Sequence, residues 1–155
     1  MKRIETVLAP IDHSELANDV FDMALTMGDA FGARVVLLRI QSDPASLQRG
    51  EADVDLRVIE QEIGELRVDA AGRIAKAGLQ NLDMKDVGAE VRAGPLVTTI
   101  VEAAAEHRAD LIIMGTHGRS GLSELFTGST TEQVVAKTPV SVMVLKPEGF
   151  PYLRD

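Results

Sequence analysis

The chain has 155 residues, no cysteine and a formal net charge of −8, which excludes a disulfide framework and makes it a poor general binder of nucleic acid or anionic membrane. With 45% hydrophobic and 26% charged residues, it has the makeup of an ordinary globular protein of one domain, able to build a core without staples. No segment approaches roughly 18 uninterrupted apolar residues, and the apolar piece of the opening MKRIETVLAP is too short for a signal peptide, so the expectation is a cytoplasmic protein with no membrane insertion and no nucleic-acid partner.

Residues 4–11, IETVLAPI, predict a first strand that ends at Pro10. Asp12-His13-Ser14-Glu15 follows with the form of a capping box, an acceptor side chain with a glutamate three residues on. Leu16, Val20, Phe21, Ala24, Leu25 and Phe31 then recur at helical spacing, and Gly32 is a natural stop. Residues 34–40, RVVLLRI, make the continuous apolar run of a strand buried on both faces. Residues 41–54 lack periodicity and carry Asp43-Pro44 and Gly50, the marks of a loop.

A longer helix comes next, with Leu56, Ile59, Ile63, Leu66, Ala70 and Ile74 on one face, Glu, Arg and Lys on the other, and Gly78 at its end. Residues 86–92 form a weaker strand in which Val87, Ala89 and Val91 alternate with polar or small neighbours. Gly94-Pro95 opens a third helix through Val97, Ile100, Val101, Ala104 and Ala105, and LIIM at 111–114 is a fourth strand. Beyond a glycine-rich loop, residues 129–137 form a short helix, and Pro139 precedes a fifth strand over residues 140–145. Apolar strands alternating with amphipathic helices predict an α/β fold, a doubly wound parallel sheet with helices on both faces. Any ligand site then lies beyond the carboxyl ends of the strands, at residues 10–14, 40–42 and from Met114 onward.

The last of these runs into MGTHGRSGLSELFTGSTTEQVV, residues 114–135. Gly115 leaves the strand, and Gly128-Ser129-Thr130-Thr131-Glu132 begins a helix whose Ser129 and Glu132 have capping-box spacing. Free N–H groups and a partial positive charge at a helix start suit an anion, and the hydroxyls of Ser129 and Thr130 add donors. No lysine precedes Ser129 and no Gly-x-Gly-x-x-Gly occurs, so this is neither a P-loop nor a dinucleotide fingerprint. On the residues alone, the loop either holds a phosphate or merely turns into a capped helix. Asp12 is likewise either a helix cap or a carboxylate facing a ligand. Arg119 is a candidate charge partner for phosphate. His117 either touches phosphate or stands in solvent, while His107 suits the end of the third helix. His13, His107 and His117 have no metal-ligand spacing, and no serine has a paired base, so neither a metal ligand nor a catalytic residue is assigned.

Gly115-Thr116-His117-Gly118, nine residues, then Gly128-Ser129 spell Gly-x2-Gly-x9-Gly-Ser. This motif, with TVLAPIDHSE, RVVLLRI, ADLIIMGTHGRSGLSELFTGSTTEQV and TPVSVMVLK around it, resembles the ATP-binding branch of the universal stress protein (UspA-type) family over residues 3–146. The resemblance implies a Rossmann-like sheet of the adenine nucleotide alpha hydrolase kind, in strand order 3-2-1-4-5, as a domain over residues 1–146 followed by a tail at 147–155. It implies ATP, with Mg2+ or Mn2+ carried on the phosphates, in the crevice past strands one and four. Pro10 and Asp12 would lie by the nucleoside, with Asp12 near ribose. Ile40 would meet adenine, and Met114 and Gly115 would run along the nucleoside. Gly118, Gly128, Ser129 and Thr130 would surround the phosphates, where the candidate charge partner Arg119 also falls in the sequence. Homodimers through the strand that Val140 and Leu145 bound are implied as well.

Thr130 and Thr131 depart from the family's aliphatic and small or polar pair, and Arg39 stands where a histidine is frequent, its charge either at the crevice mouth or snorkelling to solvent. The tail, with Phe150 and Tyr152, is either a docking segment for a partner subunit or client, or a frayed end. The expected function is a nucleotide-dependent regulatory module of a stress response with little or no ATP hydrolysis, read by an unidentified client protein. The alternatives are a nucleotide-independent dimeric interaction protein, or a slow ATPase or phosphotransferase.

Overall fold

A computed structural model describes residues 3–41, 56–116 and 130–148. In chain order the elements are β1 (Thr6–Pro10), α1 (Ala17–Phe31), β2 (Arg34–Gln41), α2 (Leu56–Ala77), a 3-10 turn (Met84–Asp86), β3 (Val87–Ala93), α3 (Leu96–Glu106), β4 (Leu111–Gly115), α4 (Thr130–Lys137) and β5 (Ser141–Leu145). The five strands make one parallel sheet in the order β3-β2-β1-β4-β5.

The continuous apolar runs of the strands are explained by burial on both faces. Val7 and Ala9 of β1, Val35 and Leu37 of β2, and Leu111 and Ile113 of β4 pack on one face against Val20, Phe21, Ala24 and Leu25 of α1 and Leu66 and Ala70 of α2. The intervening Leu8, Val36, Leu38, Ile112 and Met114 pack on the other face with Ile100, Ala103 and Ala104 of α3 and Val134 of α4. A period of two along each strand thus divides the core into two layers. The central strand is also tied at its start: the Asp110 carboxylate accepts from the backbone N–H of Glu5 (2.9 Å) and of Thr6 (3.2 Å), while the N–H of Asp110 donates to the Thr6 carbonyl (2.9 Å). At its far end the Ile11 N–H continues the ladder onto the Leu38 carbonyl at 2.7 Å.

Most element positions follow the sequence reading, with strand ends moved by a residue or two. One expectation is overturned. Asp12 is not the cap of α1, because that helix begins at Ala17 behind Leu16, with no side-chain cap bond. Gly32 does end α1 in the left-handed region, at φ 61° and ψ 36°, with its N–H on the Gly28 carbonyl.

The face of α2 also differs in detail. Leu56 is 72% exposed, and burial begins a turn later at Ile59, so only Leu66 and Ala70 are fully buried. The polar face in turn contributes a tertiary anchor. Arg73 donates to Asp22 (2.7 Å), Asn18 (2.7 Å) and Asp69 (2.9 Å) and lies 4.5 Å over the Phe21 ring, joining α2 to α1. His107 is the C-terminal cap residue of α3, and its Nε2 lies 3.0 Å from Glu90 of β3. Replacing Asp110 by alanine removes the acceptor for two N–H groups at the start of β1. It is expected to cost about 1–2 kcal/mol in denaturant unfolding, with the slope of the transition unchanged.

Candidate functional site

The chain leaves β1 toward α1 on one face of the sheet and β4 toward α4 on the other, although β1 and β4 are neighbours. Divergent crossovers from adjacent strands leave a crevice past their carboxyl ends, the usual place for a ligand in a doubly wound sheet. A cleft of about 170 Å³ lies there. Pro10 and Asp12 from the end of β1, Ile40 from β2, Met114 and Gly115 from β4 and Thr130 from α4 all line it. Of the other expected site residues, Gly118, Arg119, Gly128 and Ser129 lie outside the described residues, as do His117 and the 42–54 part of the predicted loop. The volume of the cleft is below the roughly 300–1,000 Å³ of pockets that bury a whole drug-sized ligand.

Asp12 shapes the β1–α1 connection. Its Oδ1 accepts the Ser14 N–H at 2.9 Å, an Asx turn that bends the chain away from the strand before the helix starts. The half-buried carboxylate is thereby held at the cleft wall.

Gly115 has a packing reason of its own. A Cβ there would stand 3.0 Å from the Leu16 Cβ and 3.1 Å from its Cδ1, so the end of β4 and the β1–α1 turn approach each other closely only because residue 115 lacks a side chain. The Gly115 carbonyl accepts the Thr131 hydroxyl at 2.7 Å, and Thr131 is 8% exposed. Thr131 therefore ties the first turn of α4 to the end of β4. That contact places the first turn of α4, the positive end of its helix dipole, at the lip of the cleft.

The wall opposite α4 is polar. Arg39, Gln41 and Glu62 line the cleft, and Gln41 Nε2 donates to Glu62 Oε1 at 3.2 Å. Arg39 does not snorkel into solvent: its side chain is 16% exposed, with Nη1 3.8 Å from Glu65. Gln41 falls within the strand end at 40–42 where a ligand site was expected. Sequence reasoning missed Glu62, which sits among the charged residues of α2, so nothing local marks it as facing a cleft. Among the described residues, no group of three His, Cys, Asp or Glu side chains could hold a metal ion.

The sequence profile of the universal stress protein family matches residues 3–146. The chain belongs to the universal stress protein family. Universal stress protein MJ0577 of Methanocaldococcus jannaschii is 31% identical over 153 residues, covering 90% of this chain and 93% of its own. A universal stress protein of Thermus aquaticus is 27% identical over 142 residues, covering 92% of this chain and 98% of its own. The solved structure of MJ0577 aligns with a TM-score of 0.65 at 26% identity over 95% of this chain and 99% of that one. A universal stress protein crystallised in complex with cAMP aligns with a TM-score of 0.66 over 94% of this chain and 98% of its own; at 21% identity this likeness is one of fold. The sheet order 3-2-1-4-5 expected of a universal stress protein is the order observed.

The Thr131–Gly115 bond predicts how this universal stress protein responds to a near-isosteric change. Thr131→Val keeps the volume and leaves the Gly115 carbonyl without its hydroxyl donor. The expected result is a loss of about 0.5–1.5 kcal/mol in thermal or denaturant unfolding; unchanged stability would show that the hydroxyl does not hold α4 in place.

Proposed function

We propose that this universal stress protein binds ATP in the cleft past β1 and β4 and works as a nucleotide-dependent regulatory module of a stress response. The observation that carries the reading is the meeting, in one cleft, of the ends of β1, β2 and β4 with the start of α4. The Gly-x2-Gly-x9-Gly-Ser spacing spans the chain between the last two of these. The triphosphate lies at the start of α4, among Gly118, Arg119, Gly128, Ser129 and Thr130. The nucleoside runs past Met114, Gly115, Pro10 and Asp12, and the base lies against Ile40. The donor set suits this ligand, since backbone N–H groups and hydroxyls face the anion and apolar Ile40 and Met114 face the nucleoside. Mg2+ or Mn2+ rides on the phosphates and offsets their charge.

No side chain is assigned as a committed base for water, so hydrolysis is slow or absent and occupancy itself is the signal. A client protein in the cytoplasm reads that occupancy through residues 116–128 or 41–54, and ATP acts by binding one loop arrangement better than the other. Residues 1–146 carry the binding function.

Denaturing freshly purified protein and analysing the supernatant is expected to release adenine nucleotide, and Mg-ATP is expected to raise the melting temperature of the stripped protein. Gly118→Val abolishes both effects and leaves the fold intact. No released nucleotide together with no thermal shift would sink the reading.

The proposed assembly is a homodimer through β5. That strand is the last in the sheet, paired with β4 on its inner side. Val144 on β5 and Val135 on α4 are 37% and 51% exposed, an apolar surface beside an open edge. Val144→Asp is expected to shift the species seen by light scattering from dimer to monomer; a dimer of unchanged affinity would place the interface elsewhere.

A further inference from the structure

Among the described residues, two that line the cleft each carry a buried polar atom with no hydrogen-bond partner. The atoms are Glu62 Oε2 on α2 and Arg39 Nε on β2. Leaving a buried donor or acceptor unsatisfied costs about 1–3 kcal/mol, and more when the group is charged. Such atoms at a cleft wall therefore point to a ligand that completes them.

Their place in the fold indicates which part of a ligand they meet. The anion side of the cleft is set by α4, which is tied to the end of β4 through Gly115. In the order β2-β1-β4, the end of β2 lies two strand spacings away, roughly 9–10 Å. With the phosphates of a nucleotide at α4, its base therefore falls against the β2 and α2 wall, where Arg39, Gln41 and Glu62 stand. Gln41 fixes the orientation of this wall. Its amide nitrogen donates to Glu62 Oε1, which leaves Oε2 as the carboxylate oxygen without a hydrogen-bond partner.

We infer that Glu62, oriented by Gln41, reads the 6-position of a purine base and selects an amino group over an oxo group there. The inference rests on the proposal that a purine nucleotide fills this cleft, and goes beyond it in naming the residue that distinguishes one purine from another. An ionised carboxylate accepts hydrogen bonds and donates none. Adenine offers an N–H donor at position 6 and a ring-nitrogen acceptor beside it. An acceptor at Glu62 Oε2 and a donor at Arg39 Nε complement that edge. Hypoxanthine carries an oxygen at position 6, which sets acceptor against acceptor and leaves Glu62 unsatisfied.

The test is to titrate nucleotide-stripped full-length protein with Mg-ATP and with Mg-ITP by calorimetry, for the wild type and for Glu62→Gln. Wild type is expected to favour ATP by about tenfold or more, the size expected when one buried partner is lost. In Glu62→Gln the Gln41 amide still needs an acceptor, so the new side chain turns its oxygen to Gln41 and its NH2 group to the cleft. The ATP-to-ITP ratio is then expected to fall about tenfold or to reverse, because the NH2 group donates to the 6-oxo oxygen. Gln41→Leu, which frees Glu62 from its orientation, lowers the ratio in the same direction and serves as the reporter if Glu62→Gln does not fold. A ratio unchanged within about twofold in a folded variant, with both nucleotides still bound, overturns the role of Glu62 and leaves the nucleotide site standing. Wild type that binds neither nucleotide overturns the nucleotide reading itself and this inference with it.

Discussion

The site depends on one topological constraint. Neighbouring strands β1 and β4 send their chains to opposite faces of the sheet. Right-handed crossovers that diverge in this way cannot cover the ends of the strands they leave. The crevice is thus a by-product of burying both faces of the sheet. The apolar runs that require that burial, VVLL in β2 and LIIM in β4, also create the place where a ligand can sit. What the sequence adds locally is the shape of the crevice mouth: an Asx turn at Asp12, a missing side chain at Gly115 and a buried hydroxyl at Thr131.

These three devices act together. Gly115 lets Leu16 come within contact distance of β4, which brings the β1–α1 turn across the crevice. The carbonyl of the same residue receives Thr131, which brings α4 to the other side. One backbone position therefore sets the width of the opening from both directions. The arrangement also reconciles a chain of net charge −8 with an anionic ligand in the proposed function. Attraction comes from fixed dipoles at the start of a helix and acts over one turn, whereas the net charge is spread over the surface and screened within about 8–10 Å in ordinary salt.

How much of this was legible in the sequence follows from the range over which each feature is decided. Strands such as RVVLLRI and the stop at Gly32 are local, and they were readable from periodicity and from glycine alone. The motif Gly-x2-Gly-x9-Gly-Ser was readable because its spacing is a pattern along the chain, although four of its residues and neighbours, Gly118, Arg119, Gly128 and Ser129, lie outside the described residues. Asp12 was half legible. Its position at a strand end pointed to the cleft, but the capping-box spacing promised a helix that starts at Ala17 instead, because an Asx turn uses the same acceptor two residues on. Thr131 and Glu62 were not legible. The partner of Thr131 is 16 residues away and Gln41 lies 21 residues from Glu62, so their roles appear only once the sheet has assembled.

The central claim is that a nucleotide occupies the crevice between the ends of β1 and β4, with its phosphates at α4 and its base toward β2. Amide hydrogen exchange of the full chain with and without Mg-ATP tests it most directly, because it reports which backbone segments a ligand covers. The account predicts added protection at residues 10–16, 39–41 and 114–134, with the outer helices unchanged. Saturating Mg-ATP that protects none of these segments, or that protects the α1–α2 surface around Arg73 instead, would contradict it.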